Sequence, residues 1–289
     1  MSHEARTPER IRAHYLAERE LADRVRRATT FEERRRLFTG MYDELFAKVP
    51  DHPRLMQRDS ARAERERSID WNLAQLRPYL RPGCVFLEMG AGDCALAARV
   101  ASIASRVYAL DISDQSGGKP LPGNCHIVIS DGRSVDVPAR SVDVAFSDQL
   151  MEHLHPDDAM AQLANIRDAL RPGGVYVCVT PNRLYGPTDV SGHFDDVATG
   201  FHLREYSLRE IRELFTGAGF DDLQVYVGAR GRYARCASRT VEAIESALEH
   251  LPGRARRRLA GTKPLRALLG VRVAARNPGG QPPRGQDRK

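Results

Sequence analysis

The 289-residue sequence predicts an α/β fold: a mostly parallel sheet with helices on both faces, preceded by a helical extension. Three observations carry that prediction. From Cys84 onward, short continuous apolar runs alternate with helix-period segments, the pattern of strands buried on both faces. The first run ends in a glycine-punctuated turn, Gly90-Ala91-Gly92, which opens directly into a helix. Upstream of Cys84 there is no such alternation, only Arg- and Glu-rich amphipathic periodicity.

Taken in order, residues 1–67 carry apolar positions such as Ile11, Tyr15, Leu21, Val25, Phe31, Phe38 and Tyr42 at spacings of three, four and seven. They predict two or three helices, broken near Thr29–Thr30 and ended by Pro50 and Pro53. Ser68–Leu80 reads as a further helix, stopped by Arg81-Pro82-Gly83. Strands follow at CVFLE (from Cys84), RVYALD, HIVIS, VDVAFS and GVYVCVT, with helix patterns ALAARVASIA and DDAMAQLANIRDAL among them. SLREIRELFTGAGF is a helix with glycine at its C-terminus, and DLQVYVG is the next strand. Two helical patterns, about 239–251 and 254–268, form an insertion before a last strand, VRVAARN. The expected division is an extension or cap over 1–67, a domain over 68–276 and a disordered basic tail over 277–289.

The net charge of +6 is not spread evenly. Residues 251–289 hold 11 Lys+Arg against one acid, Asp287, so residues 1–250 carry a net −4. A basic track across the domain is missing, and nucleic acid is not the expected partner. No apolar run approaches the ~20 residues that span a bilayer, and the N-terminus has no apolar signal region. The five cysteines form no C-x-x-C pair, which fits a reducing compartment and no disulfide or zinc framework. A cytoplasmic protein without membrane contact is expected.

Chemistry concentrates after the first strand. Glycines in a strand-to-helix turn let a ligand approach the backbone, and the helix N-terminus offers free N–H donors. Asp111 follows 19 residues after Gly92, at the end of the second strand, where a carboxylate can take ribose hydroxyls. Gly90-x-Gly92-x-x-Ala95 also passes for a dinucleotide fingerprint. Glu88 argues otherwise: a carboxylate there repels a pyrophosphate but favours a ligand carrying an ammonium and a sulfonium. The electrostatics favour S-adenosylmethionine. Plainer readings stand beside these, with Asp111 as a cap for the segment from Ser113 and Asp131-Gly132 as a simple turn.

The ordered set Glu88-Met-Gly90-Ala-Gly92, Leu110-Asp111, Ser130-Asp131-Gly132, Val142–Phe146, Met151-Glu152-His153-Leu154 and Leu170–Gly174 resembles the class I S-adenosylmethionine-dependent methyltransferases, in particular the small-molecule branch with ubiquinone-pathway-like motifs. The resemblance covers about 84–220 and implies a Rossmann-like seven-stranded sheet whose last strand runs antiparallel, inserted beside the sixth. It further implies that Glu88 and the backbone of Gly90, Ala91 and Gly92 hold the methionine moiety. Asp111, with Ile112 beside it, would take the ribose, and Asp131 with Gly132 the adenine. Ser147, Asp148 and Gln149 would face the sulfonium and acceptor. The sequence departs from the pattern at Cys94, where many relatives have a third glycine.

An oxygen acceptor needs a base within hydrogen-bond reach. His202, His153 and His193 are the candidates, each with a bland alternative as a packing, loop-fixing or exposed residue. No metal is expected: the Glu-x-x-Glu-His pattern of some ubiquinone-pathway enzymes has Gln149 in its first position here. The expected function is methylation of a small molecule, at oxygen, on a sugar or secondary metabolite. RNA or protein methylation and a non-catalytic cofactor-binding protein are the alternatives; an Asn-Pro-Pro-Tyr-type element is missing after the fourth strand. The N-terminal helices are expected either to cap the acceptor pocket or to form a homodimer.

Overall fold

In this computed structural model the described residues are 6–53 and 60–279, without the side chains of 60–62. The extension forms α1 (Pro8–Arg27) and α2 (Phe31–Lys48). Thr7 and Thr30 cap them, each side chain accepting from the backbone N–H three residues on. The predicted break at Thr29–Thr30 is thus a helix cap. The next helix, α3 (Ser60–Leu76), starts before the predicted Ser68, so the expected boundary at 67 falls inside it. The Ala-, Arg- and Glu-rich run before Ser68 has strong helix propensity and extends it backward.

The sheet consists of β1 (Val85–Met89), β2 (Arg106–Asp111), β3 (Cys125–Ile129), β4 (Val142–Asp148), β5 (Leu170–Thr180), β6 (Asp221–Ala229), β7 (Arg232–Cys236) and β8 (Val271–Arg276). Their spatial order is β3-β2-β1-β4-β5-β8-β6-β7. The first five strands pair in parallel, while β8 lies antiparallel between β5 and β6. That is the expected insertion of the last strand. Among the described residues the sheet has eight strands, however, not seven.

The extra strand, β7, forms a hairpin with β6 through Arg230 and Gly231, both at positive φ (55° and 79°). Such a two-residue turn matches the twist of the strands, but Arg-Gly is not the usual Asn-Gly signal. Its residues are mostly exposed, so RYARC lacks the apolar run that marked the other strands.

Helices α4 (Ala95–Val100), α5 (Pro156–Ala169), α6 (Leu208–Gly217), α7 (Ser238–Glu249), α8 (Gly253–Ala260) and α9 (Lys263–Leu269) complete the domain. One apolar core joins Leu87, Tyr176, Ile166 and Phe215; another lies around Phe86, Val100, Phe146 and Val177. Neighbouring strand residues thus face opposite cores, as two-sided burial requires. A third cluster joins Leu21, Val25 and Leu45 to Phe201 and Leu203, docking the extension on the domain. Asn277, placed at the start of the tail, is buried, and its amide donates to the Arg167 and Leu170 carbonyls. The remainder of the expected tail, 280–289, lies outside the described residues. Among the described residues no helix is long and apolar enough to cross a membrane.

Candidate cofactor and acceptor cleft

Strand β1 has β2 on one side and β4 on the other, so the chain order reverses there. Ligands of open α/β sheets sit at the carboxyl ends of strands at such a switch point. A cavity of ≈ 670 Å³ opens at that place. Its floor is made by Gly90, Gly92, Asp111, Asp131 and Asp148, and its outer wall by Phe31, Phe38 and Tyr42 of α2.

The glycine turn is built by conformation. Gly90 and Gly92 hold φ of +70° and +53°, and the N–H groups of Gly90 and Ala91 both donate to Leu110 O. Cys94, where a third glycine was expected, also sits in the left-handed region at φ +62°. Asp111 is tied across to this turn. Its Oδ2 accepts from Gly92 N–H at 2.8 Å, and its Oδ1 from Ile112 N–H at 2.7 Å.

Glu88 is 7% exposed and lies behind the turn, outside the cavity wall. Its Oε2 has no hydrogen-bond partner among the described residues. Burial pushes its carboxyl up to about 8, against a backbone bond from Ala97. An orphaned carboxyl oxygen beside a glycine turn fits a cationic group. Asp148 is also held above the ordinary carboxylate range by burial, although the Asn72 amide donates to it at 2.9 Å.

Asp131 does line the cavity, yet its carboxylate also closes its own turn. Oδ1 accepts from the Arg133 and Ser134 N–H groups and Oδ2 from the Ser134 hydroxyl. Ile112, Gly132 and Gln149 lie in the wall as well. Ser147 does not. It is fully buried, with its hydroxyl 2.7 Å from Tyr176 OH, because successive residues of β4 point to opposite faces. Ala91 is packed into the core beside α4 and does not line the cavity.

The three histidines separate. His153 lines the cavity, with Nδ1 2.9 Å from Phe201 O. His202 is buried behind it, with Nδ1 2.8 Å from Glu205 Oε1. Burial opposes the charged imidazole of His202, but the bond to Glu205 and the carboxylates of Glu152 and Asp189 outweigh it and raise its pKa. His193 faces a different pocket, among arginines of α8 and α9.

Sequence reasoning missed several parts of the site. Phe31, Phe38 and Tyr42 were read as part of an apolar stripe on helices expected to cap the acceptor pocket or to dimerise, without being named as site residues. Their spacing of seven and four already puts them on one helix face. The extension is held over the cleft by a buried bidentate pair, Arg34 to Asp158, at 2.6 and 2.7 Å. Arg26 donates to the carbonyls of Thr199, Gly200 and His202. Glu152 is fully buried, accepts from the Thr180 hydroxyl at 2.8 Å and is pushed by burial up to about 7. One ligand atom each from Glu152, His153 and His202 lie within 4.8 Å of one another, close enough to share a cation.

A family model described as a methyltransferase domain matches residues 61–225. A protein of Mycolicibacterium smegmatis described as a probable S-adenosylmethionine-dependent methyltransferase is 34% identical over 148 residues, covering 50% of this chain and 55% of that one. The chain thus spans about half the length of the curated relative it matches. Among solved structures, a chain of the complex between the Trm112 methyltransferase activator and a methyltransferase of Haloferax volcanii superposes with a TM-score of 0.54 at 17% identity, covering 77% of this chain and 95% of that one. The Burkholderia thailandensis 1,6-didemethyltoxoflavin-N1-methyltransferase, solved with its acceptor and S-adenosylhomocysteine, superposes with a TM-score of 0.51 at 18% identity, covering 86% and 91%. These two likenesses show the fold. Matched over more than half its length, the chain belongs to the methyltransferase-domain family.

Proposed function

We propose that this chain methylates an oxygen of a small molecule, such as a sugar or secondary metabolite, held between the strand ends and α2. The observation that carries this reading is the cleft itself, with an acidic glycine-turn floor on one side and aromatic side chains on the other. When bound, S-adenosylmethionine supplies a methyl carbon activated by its sulfonium. Glu88 and the Gly90–Gly92 turn would hold the methionine moiety, Asp111 the ribose, and Asp131 with Gly132 the adenine. The acids Asp111, Asp131 and Asp148 favour a cationic ligand and disfavour a pyrophosphate.

Aligning the acceptor and excluding water is the protein's main task in an in-line transfer. Phe31, Phe38 and Tyr42 supply apolar surface for that purpose. His153 is the base in this reading, since of the three histidines it is the one in the cavity wall. With Nδ1 donating to Phe201 O, the neutral ring has Nε2 as its basic nitrogen. His202, anchored by Glu205, packs edge-on behind the His153 ring. A second reading rests on Glu152 Oε1, which is buried without a hydrogen-bond partner among the described residues. A divalent cation shared by Glu152, His153 and His202 would polarise the acceptor hydroxyl.

Two measurements test the main reading. S-adenosylhomocysteine should raise the melting temperature and NAD(H) should not, with Asp111→Ala weakening the effect. Incubation with methyl-labelled cofactor and a cell extract should put label in the low-molecular-weight fraction. Label confined to RNA or protein would replace the small-molecule acceptor with a macromolecular one.

A further inference from the structure

A second concave site lies between the 185–193 loop and the α8–α9 pair, sharing no lining residue with the cleft. Its volume is ≈ 480 Å³, and Arg254, Arg257, Arg258 and Arg266 converge on it, faced by one carboxylate, Asp189. From Leu251 to Arg276 the chain has eight Lys+Arg and no acid, so α8 and α9 bring no counter-charge of their own.

The charges already balanced can be separated from the rest. Arg257 donates to the Asp195 carbonyl at 3.0 Å and pairs with the Asp196 carboxylate. Asp189 accepts from the backbone N–H and hydroxyl of Ser191 and from His202 N–H. Arg266 lies 5.0 Å above the Tyr185 ring, which fixes its position without neutralising it. Arg254, Arg258 and Arg266 form no ion pair with a carboxylate of the described residues. Arg254 and Arg258 are exposed and four residues apart, so they share one face of α8. Three guanidinium groups thus line one hollow without a carboxylate partner among the described residues.

We propose that this pocket binds the phosphate group of a small phosphorylated molecule, at a site separate from the methyl-transfer cleft. Guanidinium forks match phosphate oxygens in pairs, and a dianion answers the unbalanced charge better than a single carboxylate. The hollow is larger than one inorganic ion requires, which leaves room for the group that carries the phosphate. A polynucleotide would need an extended basic track, and residues 1–250 carry a net −4.

The test is titration calorimetry of the full chain with inorganic phosphate and pyrophosphate, at ionic strength held constant with chloride. The expected result is saturable binding of pyrophosphate, weakened about ten-fold or more in Arg254→Ala/Arg258→Ala and less, but measurably, in Arg254→Lys/Arg258→Lys, which keeps the charge and loses the fork. Both side chains are exposed, so the variants should fold, and an unchanged melting shift with S-adenosylhomocysteine verifies this. That control also separates failure of this site from failure of the cleft reading. Absence of binding by either probe, or equal affinity in the alanine variant, overturns the proposal. Tight binding of a labelled RNA 12-mer that pyrophosphate does not displace overturns it too.

Discussion

The imidazole of His202 packs edge-on against that of His153, with ring centroids 4.9 Å apart and planes at 81°. Only the His153 ring reaches the cleft wall, while His202 is anchored from behind by Glu205. On the proposed reading, His153 carries the chemical role and His202 a positioning one.

His153→Gln should lower turnover on a neutral hydroxyl acceptor by ~10²–10⁴-fold while leaving S-adenosylhomocysteine affinity unchanged. The loss should shrink for acceptors of low pKa, which are already ionised. His202→Gln should reduce turnover less, since it removes a support and not the base. Rates for the two variants across an acceptor pKa series check this. A larger defect in His202→Gln than in His153→Gln would reverse the assignment.

Glu88 links stability to pH. Its folded pKa of about 8 lies above the ordinary 4.5 of an unfolded glutamate. Below 4.5 both states are protonated and this stabilisation is fully present. Between about 4.5 and 8 the unfolded chain ionises first, so stability falls as pH rises, and it levels off above 8. Glu88→Gln should flatten that decline and raise the melting temperature at pH 9 relative to the parent. It should also weaken S-adenosylhomocysteine binding. In the parent at pH 7, binding should release protons as the carboxylate ionises against the ligand ammonium. Calorimetry in two buffers of different ionisation enthalpy reads that proton count; an equal count in the glutamine variant would sink the link.

The Arg34–Asp158 pair should hold the extension to the domain. Both groups are buried, at 4% and 5% exposure, so removing one partner leaves a buried charge unpaired. Arg34→Ala should cost about 3–5 kcal/mol in denaturant unfolding. Arg34→Met/Asp158→Leu should recover most of it, because an apolar pair of similar volume avoids the desolvation penalty. If the double variant is as unstable as the single one, the pair's geometry and not its charge balance matters.

The cation reading has its own readout. Dialysis against EDTA followed by Mg²⁺ or Zn²⁺ should abolish and then restore turnover if Glu152, His153 and His202 share an ion. Glu152→Gln should then lose the metal response and keep cofactor binding. Full activity after EDTA, with no metal found by elemental analysis, leaves His153 as a simple base.

The order of strands and helices was legible because burial on both faces writes itself as continuous apolar runs, and helices as a 3.6-residue period. The glycine turn and Asp111 were legible for a related reason. Positive φ at Gly90 and Gly92 restricts residue type locally, and the carboxylate follows at the end of the next strand.

What tertiary structure decided is a matter of phase and distance. VDVAFSD is apolar on both faces, so nothing in it told which of Ser147 and Asp148 would face the cleft; the pleat of β4 between its neighbours did. β7 depended on a two-residue turn and on a paired edge, not on an apolar run of its own. Chain order put all three histidines near the carboxyl ends of the strands, yet the irregular segment after β5 sent His193 to the arginine pocket and buried His202 behind His153. The outer wall of the cleft came from α2, seated by a contact between Arg34 and a residue 124 positions away. Periodicity reports how a segment is buried, but only packing of distant segments decides against what.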